Sequence, residues 1–170
     1  MKPDLAEPPH FEQANCLVLA CGNTLRSDDG VGPNLAEWAA ERFRGHAHVR
    51  VVSRQQWTPD LAEDIAGADS VLFVDASVES VPGRVSLAPV PFRTDGAEPA
   101  TGLAASHHVD PPQLLSLTHS LYGSMSAHAM LLTVGAGSTE LGEAFSAPVT
   151  AALPRARRVL EKTVLRFLEN

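Results

Sequence analysis

Residues 22–32 read Gly-Asn-Thr-Leu-Arg-Ser-Asp-Asp-Gly-Val-Gly, and they separate an apolar run from an amphipathic one. This order predicts the end of a first strand, a tight loop and the start of a first helix. In a nucleotide-binding fold such a loop offers glycines and a helix N-terminus to a phosphate. Here it carries the adjacent carboxylates Asp28 and Asp29, which would repel a phosphate and attract a cation. We therefore expect both carboxylates to face a cation, and we disfavour a nucleotide-binding module.

Apolar runs alternate with amphipathic stretches along the rest of the chain. The predicted strands are 16–20, 49–52, 71–75, 84–87 and 130–134, and the predicted helices include one opened by Thr58, one opened by Asp110 and one over 148–168. Only eight residues separate Asp75 from Arg84, whereas a parallel crossover needs roughly a dozen, so the fourth strand should be antiparallel. The pattern predicts the α/β class: a three-layer α/β/α sandwich with a mostly parallel sheet and one antiparallel strand.

The composition indicates one globular domain, over residues 14–170, behind a flexible N-terminal leader at residues 1–13. With 13 basic and 20 acidic residues the net charge is −7, which argues against nucleic acid or an anionic membrane as the partner. The two cysteines, Cys16 and Cys21, lie in or beside the first apolar run, as expected of packing in a reducing compartment. Since no targeting pattern is visible, we expect a cytoplasmic protein.

Three side chains fall where ligands collect in an open α/β sheet, outside the carboxyl ends of the strands. Asp29 follows the first strand, Asp75 ends the third, and His107 stands in the loop before the helix that leads to the fifth. Two carboxylates and an imidazole form a mixed ligand set that suits nickel, zinc or manganese. The sequence therefore predicts a metal site made by Asp29, Asp75 and His107.

Each of these residues also has a purely structural interpretation. The acidic pair could offset the dipole of the first helix, and Asp75 could cap the turn that follows its strand. His107 and its neighbour His108 could be ordinary loop histidines. The sequence contains no nucleophile elbow, no zinc-protease helix motif and no cysteine in an exposed cationic loop. A hydrolase with this sequence would therefore use a carboxylate or a metal to activate water.

Several of these segments together resemble the hydrogenase maturation proteases, the endopeptidases that trim the large subunit of nickel-iron hydrogenases. The resemblance spans most of residues 15–168. The matching segments are Cys21-Gly22-Asn23 with Asp28-Asp29-Gly30-Val31-Gly32, Val74-Asp75-Ala76, Ser106-His107 before a Leu-Leu helix, and Leu141-Gly142-Glu143 with Ser146-Ala147-Pro148. Two positions depart from the family pattern: Ala20 replaces a glycine, and His108 offers a second histidine beside His107.

The resemblance implies a fold, an activity and roles for single residues. The implied fold is a five-stranded mixed sheet between helices, of the phosphorylase/hydrolase-like kind. The implied activity is removal of a C-terminal peptide from the large-subunit precursor, with Asp29 and Asp75 as catalytic carboxylates. Asp29, Asp75 and His107 would also recognise nickel already bound in that precursor, so that the metal comes with the substrate. A non-catalytic nickel-binding chaperone of hydrogenase assembly is the alternative, because it would use the same ligands.

Overall fold

A computed structural model of the chain describes residues 14–92, 109–123 and 126–169. The predicted leader, the greater part of the loop before Asp110, and both His107 and His108 lie outside the described residues. The strands are β1 (Ala14–Cys21), β2 (Val49–Arg54), β3 (Ala68–Ser77), β4 (Val85–Pro89) and β5 (His128–Gly135). The helices are α1 (Val31–Arg42), α2 (Leu61–Ala66), α3 (Pro111–Tyr122) and α4 (Ala147–Glu169), with a 3₁₀ helix at Ser27–Gly30.

The five strands form one sheet in the order β2-β1-β3-β5-β4. Pairs β1–β2, β1–β3 and β3–β5 are parallel, and β4 pairs antiparallel with β5 at the edge. The predicted α/β class and the antiparallel fourth strand are confirmed. The short β3–β4 connection explains the second result, because it is too short to carry the chain back for a parallel strand.

Side chains of β1 point alternately to the two faces of the sheet, and each face is covered by helices. Cys16, Val18 and Ala20 pack with α1 and α4, while Leu17, Leu19 and Cys21 pack with α2 and α3. Burial on both faces explains why the first strand reads as a continuous apolar run rather than as an alternating one. The described part of the chain therefore forms the predicted three layers.

The helix starts follow the sequence signals in one case and depart from them in another. Asp110 caps α3 through a capping box, because its carboxylate accepts from the Gln113 N–H at 2.8 Å and the Gln113 side chain accepts from the Asp110 N–H at 2.9 Å. The prediction that Thr58 caps α2 is wrong. That helix begins at Leu61, and Thr58 contributes only its backbone carbonyl, which accepts from the Leu61 N–H at 3.1 Å.

Gly32 lets the first turn of α1 press directly against the ends of β1 and β3. A Cβ at this position would lie 2.1 Å from the carbonyl oxygen of Cys21 and 3.1 Å from that of Val74. Because a glycine has no Cβ, the helix N-terminus can approach the backbone of both strands. The loop that joins β1 to α1 is thereby held against the edge of the sheet.

The last helix, α4, runs through Pro154, which lies inside it rather than at its start. Its apolar stripe supplies Val149, Ala156, Leu160 and Val164 to the core on the α1 side of the sheet. None of the helices in the described ranges combines the length and the apolar character that crossing a membrane requires.

Candidate functional site

The carboxyl ends of β1, β2, β3 and β5 share one edge of the sheet, because these four strands are parallel. The connections that leave this edge are residues 22–30, 55–60, 78–84 and 136–146. We call it the carboxyl edge. In open α/β sheets it is the usual place for a binding site, and two of the predicted site residues lie on it.

Asp29 lies in the 3₁₀ helix that follows β1, directly before the N-terminus of α1. Its Oδ2 accepts a hydrogen bond from the Asn23 N–H at 2.8 Å. Gly22 makes this tight loop possible: its φ is +147°, and a Cβ there would lie 1.9 Å from the carbonyl oxygen of Asp29. Ser27 has a φ of +49°, a value that residues other than glycine rarely adopt. The half-buried Asp29 carboxylate is thus set by a loop of defined shape.

Asp75 lies two residues before the end of β3, and a tryptophan holds it. Trp57 Nε1 donates to Asp75 Oδ2 at 3.2 Å, and the Ala76 N–H donates to Oδ1 at 2.8 Å. Trp57 itself is buried and packs edge-on against Phe73, with ring centroids 5.6 Å apart. Our sequence reasoning missed Trp57. The available signal was its position three residues after β2, which places it on the carboxyl edge.

The negative charge of Asp29 acts on the carboxyl group of Asp75. Burial raises the pKa of Asp75, hydrogen bonds from Ala76 and Trp57 lower it, and the negative charge of Asp29 raises it further, to about 6. The strand register agrees with this proximity: Ala20 pairs with Val74, so Asp75 lies beside the end of β1, where the loop to Asp29 starts. Two like charges at the ends of adjacent strands favour the approach of a cation.

Cys21 lies beside the same two carboxylates at the end of β1. Burial raises the pKa of its thiol to about 12, the charges of Asp75 and Asp29 raise it too, and a hydrogen bond from the Trp57 backbone N–H opposes them. The thiol therefore stays protonated at neutral pH, and a protonated thiol is a poor nucleophile and a poor metal ligand. The chemistry this arrangement supports is that of carboxylates.

The third predicted ligand, His107, lies outside the described residues, as does His108. Within residues 14–92, 109–123 and 126–169, no three His, Cys, Asp or Glu side chains form a group that could hold a metal ion. The described part of the site thus supplies two carboxylates, and the assignment of His107 stays a prediction.

Asp28 does not share the cation site that we expected for both members of the acidic pair. It is fully buried, and its carboxylate accepts four hydrogen bonds: from Gly137 N at 2.7 Å, Ser138 N at 2.9 Å, Ser146 N at 2.7 Å and Ser146 Oγ at 2.7 Å. All four donors belong to the β5–α4 connection. Asp28 therefore joins two loops of the carboxyl edge, and Asp29 is the half-buried member of the pair.

The hydrogen bonds keep Asp28 ionised in spite of its burial. Burial by itself raises the pKa of this carboxyl, but donation from Ser146, Gly137 and Ser138 outweighs it and holds the pKa below its ordinary value. A carboxylate that accepts several hydrogen bonds needs no cationic partner, because aligned N–H dipoles stabilise its charge.

With the site described, known structures can be compared. No protein-family model and no curated protein matches this sequence. Similar solved structures include the hydrogenase maturating endopeptidase HybD from E. coli, with a TM-score of 0.70, 23% identity and coverage of 89% of this chain and 93% of that one. The [NiFe] hydrogenase maturation protease HybD from Thermococcus kodakarensis has a TM-score of 0.64, 25% identity and coverage of 88% and 98%. HycI from the same organism, also a [NiFe] hydrogenase maturation protease, has a TM-score of 0.64, 23% identity and coverage of 93% and 94%.

The layers, the strand order and the acidic carboxyl edge define an α/β protein with a carboxylate site at the end of a mixed five-stranded sheet. More particularly, the fold is that of the hydrogenase maturation proteases. The resemblance to that family drawn from the sequence motifs is confirmed.

Replacing Asp28 by asparagine should destabilise the protein. An amide nitrogen cannot accept a hydrogen bond, so at least one of the four donors loses its partner in a buried place, at a cost of about 2 kcal/mol or more. Urea denaturation of Asp28→Asn should show this loss. The matched control is Glu140→Gln on the same loop, whose exposed side chain should leave the free energy of unfolding unchanged. Equal stability of both variants would contradict the bridging role.

Asp75→Asn should remove a pH-dependent loss in the free energy of unfolding. The pKa of Asp75 in the folded protein is about 6, above its ordinary value of 3.8, so the folded state binds more protons than the unfolded chain between these pH values. Stability then falls as pH rises through this window, by on the order of 2 kcal/mol. Relative to wild type, Asp75→Asn should gain stability between pH 4 and pH 7.

The test compares the free energies of unfolding of wild type and variant at about pH 4 and at about pH 7. The difference between the two pH values cancels the pH-independent cost of the lost hydrogen bond. The control is Asp69→Asn at the exposed start of the same strand. A parallel pH profile for wild type and Asp75→Asn would show that Asp75 titrates normally.

Proposed function

We propose that this protein is an endopeptidase that removes a C-terminal peptide from the nickel-loaded large-subunit precursor of a nickel-iron hydrogenase. The observation that carries the proposal is the placement of Asp29 and Asp75 at the carboxyl ends of the adjacent strands β1 and β3. The shared fold supports it, because HybD and HycI are named as hydrogenase maturation proteases.

The negative charges of Asp29 and Asp75 favour recognition of the precursor through a divalent ion. Two neighbouring carboxylates repel each other, and a dication placed between them removes this repulsion. Carboxylate oxygens with one imidazole suit nickel among the late divalent metals. In the proposal Asp29, Asp75 and His107 contact nickel held by the precursor, so the ion belongs to the substrate and reports that metal insertion is complete.

The same carboxylates are the proposed catalytic groups. In the metal-free protein the pKa of Asp75 is about 6, so its carboxylate is a stronger base than that of an ordinary aspartate. Water attacks the carbonyl carbon of the scissile peptide bond, its proton passes to a carboxylate, and the proton then moves to the amine that leaves as the C–N bond breaks. Each carboxylate has two oxygens, so one can face the ion while the other takes the proton.

Trp57 keeps Asp75 in the orientation that this chemistry needs. Its indole N–H binds one carboxylate oxygen, while its buried ring is fixed against Phe73. Holding a reacting group in a single rotamer reduces the entropy lost on reaching the transition state. The Asn23 N–H orients the carboxylate of Asp29 in the same way, by donating to its Oδ2.

The first experiment incubates the purified protein with nickel-loaded and with nickel-free precursor and follows the peptide released by mass spectrometry. Cleavage of the nickel-loaded form only is the expected result, since recognition runs through the ion. Equal cleavage of both forms would show that the protease does not recognise its substrate through nickel.

Asp75→Asn separates the enzyme from the chaperone alternative. An enzyme variant without its base should lose about 100-fold or more in cleavage rate while it still binds the precursor. Asp69→Asn serves as the matched control and should cleave like wild type. A chaperone would show no cleavage by the wild-type protein and undiminished support of hydrogenase assembly by a variant that still binds nickel.

Trp57 also provides a direct readout of the ligand set. In a Trp38→Phe background Trp57 is the sole tryptophan of the chain, and its contact with Asp75 should let bound nickel quench its fluorescence. His107→Ala should weaken nickel binding by about tenfold or more, and His108→Ala should not. The reverse result would move the ligand to His108, and no effect of either would remove the histidine from the site.

A further inference from the structure

Four aliphatic side chains stand exposed on the carboxyl edge. They are Leu25 (56% exposed), Val78 (73%), Val81 (66%) and Leu141 (85%), and together we call them the apolar rim. Isolated exposed aliphatic residues are ordinary on protein surfaces, whereas several on neighbouring loops around one site usually mark a contact surface. Leu25 lies on the connection that carries Asp29, and Val78 and Val81 lie on the connection that follows the strand of Asp75. Leu141 lies on the β5–α4 connection, which the hydrogen bonds of Asp28 join to the loop of Asp29.

Backbone hydrogen bonds place the first pair of the rim side by side. Arg26 and Gly142 form a parallel bridge, in which the Gly142 N–H donates to the Leu25 carbonyl at 3.0 Å and the Ser27 N–H donates to the Gly142 carbonyl at 2.6 Å. In a parallel bridge the preceding residues are neighbours, so Leu25 and Leu141 lie next to each other. The hydrogen bonds to Asp28 hold both loops in this arrangement.

The second pair lies on the β3–β4 connection, which packs on the end of β5. The Gly83 N–H donates to the Gly135 carbonyl at 2.8 Å, and the Ala136 N–H donates to the Ser77 carbonyl at 2.9 Å. The absence of a side chain at Gly135 leaves room for the Val81 carbonyl, which lies 1.9 Å from an ideal Cβ position there. The loop with Val78 and Val81 therefore packs against the start of the loop that carries Leu141.

The charges around the rim have a clear sign. The three connections expose Glu79, Glu140 and Glu143 in addition to the carboxylates Asp29 and Asp75, and their basic residues are Arg26 and Arg84. Five carboxylates against two guanidinium groups make this surface acidic, so it complements a partner segment that combines aliphatic and basic side chains.

We infer that the apolar rim binds a polypeptide segment of the substrate protein, one rich in aliphatic and basic residues, and holds it beside Asp29 and Asp75. The inference rests on the proposed function for the identity of the partner. The rim supplies affinity and the carboxylates supply chemistry, so the two can be separated by kinetics. Removing uniform binding raises KM and leaves kcat little changed.

The test is the double variant Leu25→Ser/Leu141→Ser in the full chain, with the nickel-loaded large-subunit precursor as the probe. We expect KM to rise about tenfold or more, because two leucines no longer leave water on binding, while kcat changes less than about twofold. The urea midpoint should stay that of wild type, since both side chains are exposed. High salt should also raise KM for the wild-type protein, because it screens the acidic surface.

The matched control is Leu121→Ser. Leu121 is as exposed as the rim residues, at 61%, but it lies at the end of α3 that precedes β5, on the opposite edge of the sheet. This variant should keep the wild-type KM. An unchanged KM in the double variant, or an equal rise in the control, overturns the inference.

Three further outcomes bear on this inference and on the proposed function. If the wild-type protein binds the precursor without cleaving it, the endopeptidase proposal fails, and equal affinity of wild type and double variant in a binding assay then overturns the rim as well. If wild type binds no precursor, both fail. If light scattering shows a dimer that the double variant breaks while its KM is unchanged, the rim is an interface between copies of this chain and not a substrate surface.

Discussion

The buried carboxylate of Asp28 organises the carboxyl edge. Its four hydrogen bonds join the loop after β1 to the loop before α4, although the two loops are more than 100 residues apart in sequence. The position of Asp29, which follows directly, and the adjacency of Leu25 and Leu141 both depend on this junction. A buried anion stabilised only by N–H and O–H dipoles loses stability with each donor that is removed, so the junction is strongest with all four in place.

A second constraint is the separation of roles within the acidic pair. Asp28 and Asp29 are neighbours in sequence, yet Asp28 is fully buried and accepts four hydrogen bonds, whereas Asp29 is half-buried and accepts one from Asn23. The 3₁₀ helix produces this divergence, because its tight turn directs consecutive side chains to different sides. The pair is therefore one structural anion and one anion available to a ligand.

The sequence predicted the fold well where local signals and chain length decide it. The short Asp75–Arg84 connection indicated the antiparallel strand, and Asp110 followed by proline indicated the start of α3. It failed where long-range contacts decide. Nothing local distinguishes Asp28 from Asp29, because the donors to Asp28 lie at residues 137–146. Trp57 was missed because a single tryptophan after a strand is usually core, and its bond to Asp75 depends on β2 and β3 flanking β1. Thr58 was misassigned because a turn, closed by the Leu61 N–H and the Thr58 carbonyl, separates it from the start of α2.

Gly32 has a consequence for the electrostatic field beside Asp29. By letting α1 approach the strand ends, it puts the positive end of the helix dipole just behind Asp29. That partial positive charge offsets some of the field that the two carboxylates create, so the site attracts a dication less strongly than two bare carboxylates would. Under the proposed function this moderation matters for release, because a weakly held ion stays with the substrate instead of passing to the protein.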